Sequence, residues 1–262
     1  IWQGNHDFDV CKIASSMAKK LSHRGPDDYG LWKDNYCQLA LSHRRLSILD
    51  LSSAGKQPFI SNSGRFVIVF NGEIYNHLSL RDELSLNNYK LKWKSSSDTE
   101  TLINCLEVWG IEKTLSKLTG MFAFALWDRK LRKIFMARDR FGEKPLYWGY
   151  LENNGIASII FASELISFHE CPFFKKELDQ GACSFYKKFG WIPAPSSIFK
   201  NVEQIIPGQY IEINSNSLGN PISFSQIKRN IWWDPIETFN ICKENISALN
   251  SQEAISHLEE IL

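Results

Sequence analysis

Gly120-Met-Phe-Ala-Phe-Ala-Leu-Trp-Asp128 is the stretch on which the fold turns. In an extended chain Phe122, Phe124 and Leu126 face one way, and Ala123, Ala125 and Trp127 face the other. Both sets are apolar. A sheet wet on one side would alternate apolar with polar residues, so this pattern predicts a strand covered on both faces. Lys133 to Ala137 reads as its hairpin partner, joined through Arg129-Lys-Leu-Arg132.

Working outward, Gly64 to Gly72 reads as a buried strand running into an Asn-Gly turn. Tyr36 to Leu41, Ile156 to Ala162 and Gln209 to Ile213 add strands. Val10, Ile13, Ala14, Met17, Ala18 and Leu21 share one helical face, which predicts a helix over residues 9–21 that stops before Gly25-Pro26. Asn76 suits the N-cap of a short helix through Leu84. Ser97-Asp-Thr-Glu100 has the capping-box pattern, and Leu102, Ile103, Leu106 and Trp109 follow it as a stripe closed by Gly110. Helices and strands in this order predict an α+β fold, with antiparallel sheets covered by helices.

The balance of charges narrows the function. With 30 Lys and Arg against 29 Asp and Glu, the chain lacks the basic surplus of a nucleic-acid binder. No apolar run is long enough to span a membrane. The six cysteines form no C-x-x-C pair and lie at no zinc spacing, so they read as reduced thiols of a cytoplasmic protein with no metal site. After about residue 215 the character turns polar and weakly periodic. Residues 216–262 therefore read as a connector into a second domain, and 1–215 as the first. A start at Ile1 and a final helix without a stop signal predict a piece of a longer parent.

Four segments could carry chemistry. Ser22-His-Arg-Gly-Pro-Asp-Asp28 is locally a rigid helix exit. His43-Arg-Arg-Leu-Ser-Ile-Leu-Asp50 offers a guanidinium fork that suits a carboxylate, or simply a solvated face. Phe70-Asn-Gly-Glu-Ile-Tyr-Asn76 is either a tight turn or a pair of N–H donors for a developing oxyanion. Asp98 either complements a helix dipole or receives an ammonium group. Taken together, these are the groups needed to grip an α-amino acid and attack its side-chain carbonyl.

In this order the four segments resemble the class II glutamine amidotransferases of the N-terminal-nucleophile hydrolases. The glutamine-hydrolysing asparagine synthetase family is the nearest pattern. Gly120 to Asp128, Ala137-Arg-Asp-Arg-Phe-Gly-Glu-Lys-Pro-Leu-Tyr147, Phe161-Ala-Ser-Glu164, Ile192-Pro-Ala-Pro195, Pro207-Gly208 and Trp232-Trp-Asp-Pro235 extend the likeness over nearly the whole chain. The resemblance implies a four-layer αββα sandwich and the start of a C-terminal synthetase domain. It implies that a Cys at the mature N-terminus attacks the side-chain amide of L-glutamine, releasing ammonia for aspartate. By matched position Arg45 binds the α-carboxylate, and Leu46, Ser47, Ile48 and Leu49 line the pocket. Asn71 and Gly72 form the oxyanion hole, while Glu73 and Asp98 take the α-amino group. ATP and magnesium belong to the synthetase domain, with none in this segment, and a homodimer stays open.

The family's Met-Cys-Gly start is missing before Ile1, and Cys11, inside the first predicted helix, cannot replace it. The expectation is therefore a glutaminase segment that binds glutamine weakly or not at all and does not hydrolyse it. Two alternatives stand beside it: a related amidotransferase that aminates another carboxylate, and a non-catalytic glutamine-binding pseudoenzyme.

Overall fold

A computed structural model describes residues 1–3, 8–47, 55–86, 91–153, 156–214, 227–244 and 251–261. Two six-stranded sheets form its centre. In spatial order the first holds β10 (Val202–Gln204), β8 (Tyr147–Asn153), β9 (Ile156–Ala162), β1 (Trp2–Gln3), β3 (Leu39–Arg45) and β2 (Asp28–Asp34). The second holds β12 (Lys228–Ile231), β11 (Gln209–Asn214), β7 (Lys133–Arg138), β6 (Gly120–Asp128), β5 (Phe66–Ile74) and β4 (Phe59–Ile60). Neighbouring strands in both are antiparallel.

Strand β6 behaves as its alternation demands. Ala123, Ala125 and Trp127 join Trp2, Leu39 and Leu41 of the facing sheet in one core. Phe122, Phe124 and Leu126 lie in another, against Leu80, Leu84, Leu102 and Leu106. Those last four come from α2 (His77–Leu86) and α3 (Asp98–Trp109), with α4 (Ile111–Lys117) beside them. A third core lies beneath α1 (Val10–Lys19), where Val10, Ile13 and Met17 meet Ala40, Ile160 and Phe168. Helix, sheet, sheet, helix is the four-layer αββα sandwich. Removing one layer would expose a complete apolar face, so the layers hold one another in place.

Several local expectations change. The strand expected over Tyr36 to Leu41 begins at Leu39 and runs to Arg45, while Tyr36 is 83% exposed at the turn before it. Asn71-Gly72 is not a turn: β5 continues to Ile74, paired with β6 throughout. Asn76 precedes α2, but its side chain bonds Lys117 O and Thr119 N, tying the strand exit to the end of α4. Ser97 caps α3 as expected. The reciprocal carboxylate, Glu100, instead collects the N–H groups of Lys94 and Ser95.

The chain divides into two compact units, Ile1–Trp232 and Trp233–Leu262. β12 lies beyond the boundary read at residue 215, yet it is laddered to β11, so the first unit reaches farther than composition suggested. The described part of the second unit holds α5 (Pro235–Glu244), capped by Asp234, and α6 (Ser251–Ile261).

Candidate functional site

Arg45 ends β3, and the segment read as a helix exit frames it. A Cβ on Gly25 would come within 2.4 Å of Arg44 C and 2.6 Å of Arg45 N, so only glycine lets this loop lie against the Arg44–Arg45 peptide. Asp27 N–H donates to Arg45 O at 3.0 Å. The Asp27 carboxylate accepts the Ser47 N–H at 2.8 Å.

Strand β5 supplies the next groups. Its residue Gly72 pairs with Phe122 of β6. Phe122 spends both backbone groups on the far side: its N–H on Asp139 Oδ2 at 3.2 Å, and its C=O on Asp139 N at 2.8 Å. Gly72 therefore turns its N–H away from β6, as Phe70 and Ile74 do by strand alternation. On that side β4 pairs only as far as Ile68, and side chains take over from it. Phe70 N–H donates to Gln57 Oε1 at 2.7 Å, and Ile74 N–H donates to Asp98 Oδ2 at 2.9 Å. The Gly72 N–H lies between these two capped positions. A Cβ on Gly72 would meet Met121 O at 2.2 Å, so the close approach of β6 requires glycine.

These ends of β3, β5 and α3 surround a cavity of about 350 Å³. Arg45, Leu46, Asn71, Gly72, Glu73 and Asp98 all line it. Ser47 does not; its backbone is held by Asp27. Ile48 and Leu49 lie outside the described residues. Asn71 Nδ2 is buried with no hydrogen-bond partner among the described residues, which leaves a strong donor uncommitted in the wall. Asp98 is 6% exposed. Burial raises its carboxyl above the usual range, against the opposing bond from Ile74 N–H. A cationic group arriving beside it would recover that lost solvation.

Among the wall residues to which the sequence reading gave no role are Arg24, His43, Gln57 and Lys144. His43 Nε2 meets Phe70 O at 3.0 Å. A carbonyl can only accept, so Nε2 carries the proton and Nδ1, buried without a partner among the described residues, is bare. Burial pushes this imidazole down to about 4, with the Phe70 bond opposing. Lys144 is delivered by the loop after β7, where buried Asp139 accepts the N–H groups of Phe141, Glu143 and Lys144. No sequence periodicity signals such a loop.

The wall thus presents a guanidinium, an uncommitted amide, a strand N–H and two carboxylates, with apolar Met121, Ala123 and Leu146 behind them. That set matches an α-amino acid with a polar side-chain end. Residues 2–222 match the family described as the glutamine amidotransferase domain.

This chain belongs to that family. It is 38% identical over 213 residues to glutamine-hydrolyzing asparagine synthetase 2 of Bacillus subtilis, covering 77% of this chain and 26% of the relative. It is 34% identical over 230 residues to a putative glutamine-hydrolyzing asparagine synthetase of Mycobacterium tuberculosis, covering 84% and 34%. Amidase chry2 of Gibberella zeae is 33% identical over 196 residues, covering 75% and 27%. The chain therefore spans about a quarter to a third of the length of these relatives. Among solved structures, glutamine phosphoribosylpyrophosphate amidotransferase from B. subtilis aligns with a TM-score of 0.56 at 18% identity, over 84% of this chain and 46% of that one. The allosteric regulatory enzyme of purine biosynthesis aligns at 0.58 and 19%, over 88% and 48%. At such identity the likeness is one of fold, and it is the amidotransferase sandwich.

Proposed function

We propose that the cavity binds L-glutamine and is the glutaminase part of an asparagine-synthetase-type amidotransferase. The observation that carries this reading is the convergence of Arg45, Asn71, Gly72 and Asp98, far apart in sequence, on one cavity. Arg45 grips the α-carboxylate in two parallel charge-assisted bonds. Asp98 and Glu73 receive the α-ammonium. This fixes the side chain so that its carbonyl oxygen approaches Asn71 Nδ2 and the Gly72 N–H. Charge developing on that oxygen is then met by donors already in position.

Among the described residues no cysteine lines the cavity, but Ile1 does. A chain carrying Cys-Gly ahead of Ile1 would bring its thiolate to this wall, with its own α-amino group as base. Hydrolysis to glutamate and ammonia is assigned to that form. The described residues form the cavity, so glutamine binding is expected to be measurable, where the sequence had suggested little or none.

The ammonia is passed to a C-terminal synthetase domain that uses ATP and magnesium to activate aspartate. Among the described residues no cluster suits a metal ion, and no step here is routed through one. Free thiols at all six cysteines fit a reducing, cytoplasmic setting, and no described helix is long and apolar enough to cross a membrane. The likeness to an amidase, chry2, favours one second reading, in which the same glutaminase serves a different carboxylate acceptor.

NMR titration of the labelled chain tests the site. L-glutamine should shift the backbone signals of Arg45, Gly72 and Asp98, and D-glutamine should not. Equal responses to both enantiomers, or none at these positions, would overturn the assignment.

A further inference from the structure

We infer that Gln57 and His43 are positioning residues that hold the Phe70–Asn71 peptide, and through it aim the two oxyanion donors Asn71 and Gly72. The inference rests on the glutaminase reading of the cavity.

Gln57 stands where β4 would have continued. β4 pairs Phe59 with Ile68, so the next position on that side of β5 is Phe70, and the position opposite it is Gln57, just before β4 begins. The Gln57 carboxamide supplies both missing bonds. Its Oε1 accepts the Phe70 N–H at 2.7 Å, and its Nε2 donates to Phe70 O at 3.1 Å. A side-chain amide thus imitates a strand peptide. The same Nε2 lies 3.4 Å from Thr99 Oγ1, in the first turn of α3 beside Asp98.

His43 adds a second donor to Phe70 O, from β3 of the facing sheet, at 3.0 Å. One carbonyl therefore carries bonds from both sheets. Phe70 is the last residue before the donors, and its C=O belongs to the peptide whose nitrogen is that of Asn71. Fixing that peptide fixes the origin of the Asn71 side chain and the path of the chain into Gly72. Asn71 Nδ2 has no hydrogen-bond partner among the described residues, so the direction of that donor depends on the backbone beneath it.

Gly30 shows how closely Gln57 is seated. A Cβ there would come within 1.8 Å of Gln57 O, so β2 lies directly against the Gln57 backbone. Gln57 itself is 7% exposed. A buried side-chain amide with both ends bonded is a costly feature to place at a sheet edge unless position matters.

The test compares the chain with Gln57→Met, His43→Leu and His43→Gln. Methionine keeps the length of Gln57 without its bonds. Glutamine at 43 can still donate to Phe70 O, and leucine cannot. Each protein is titrated by NMR with L-glutamine and with L-norvaline, which keeps the α-amino and α-carboxylate groups but has no side-chain carbonyl. Gln57→Met and His43→Leu should weaken L-glutamine roughly tenfold, the worth of about one hydrogen bond, and leave L-norvaline unchanged. His43→Gln should restore the glutamine affinity. Equal losses for both ligands, or unchanged glutamine binding, would overturn the proposal.

A second measurement separates it from the site assignment. Hydrogen exchange at Phe70 N–H should quicken in Gln57→Met, and the Gly72 amide signal should move, with no ligand present. If the parent chain ignores glutamine while these changes occur, the glutaminase reading falls and the clamp stands. If exchange at Phe70 is unaltered, the clamp itself is wrong.

Discussion

Asp98, the first residue of α3, accepts the backbone N–H of Ile74, the last residue of β5, at 2.9 Å. One carboxylate thereby joins a helix start to a strand end, and both belong to the cavity wall. The bond places an anion where the desolvated interior disfavours it. The acid is held in position at a cost that a bound cation would relieve.

Replacing Asp98 with Asn should separate stability from binding. Its carboxyl titrates above the usual range in the fold, so the ionised form weakens the fold as pH rises past the ordinary carboxylate range. Asparagine keeps an oxygen for Ile74 N–H without that charge. Urea unfolding at neutral pH should show equal or greater stability. Glutamine affinity should fall by roughly ten- to a hundredfold, matching about 1.5–3 kcal/mol for a hydrogen bond to a charged group. A variant that is less stable yet binds normally would contradict the role.

Asn71→Ala bears on the reaction. In a form carrying the N-terminal Cys, loss of one oxyanion donor should lower glutamine turnover by roughly 100- to 1000-fold, with little change in KM. Steady-state ammonia release measures it. A turnover near that of the parent would remove Asn71 from the mechanism.

His43 predicts an acid-sensitive fold. Its imidazole lies at about 4 in the folded chain, against 6.5 as the ordinary value. The unfolded chain therefore takes up a proton first as pH falls. Stability contributed by the neutral ring is complete above 6.5 and is lost progressively down to about 4, a total of roughly 3 kcal/mol. Denaturation midpoints measured across that window should drop more steeply for the parent than for His43→Gln. Parallel profiles would show that another group sets the acid limit.

Gly72→Ala should strike the fold rather than one bond. The added methyl would press on Met121 O at 2.2 Å and Phe122 Cα at 2.7 Å, both backbone atoms of a central strand. The strands must part, at a cost of about 1–3 kcal/mol. Chemical denaturation reads the loss, and an unchanged midpoint would mean that β5 and β6 are farther apart than described.

Part of this was legible in the residues alone. The uninterrupted apolar alternation of Gly120 to Asp128 demanded two covered faces, and the cores on either side of β6 meet that demand. The Arg45, Asn71-Gly72 and Asp98 segments each held a functional group that the fold brings to the cavity wall, though each also had a bland reading. What misled was local chemistry: Asn-Gly is a turn signal, but here Gly72 serves close strand packing within β5. Likewise Asn76 bonds α4 and the strand entry instead of capping α2, because a tertiary partner outcompeted the helix end.

By itself the sequence determined which faces must be buried, hence antiparallel sheets covered by helices, and which kinds of group were present to meet an amino acid. Those follow from periodicity and side-chain chemistry, which act over a few residues. Only the tertiary structure decided that Gly72 lines the cavity with its N–H turned away from β6, and that Gln57 stands in for a strand. It also decided that His43 of one sheet and Gln57 beside the other share the Phe70 carbonyl. Such relations depend on the register between strands and on where a ladder stops, and no local pattern encodes the partner across a sheet.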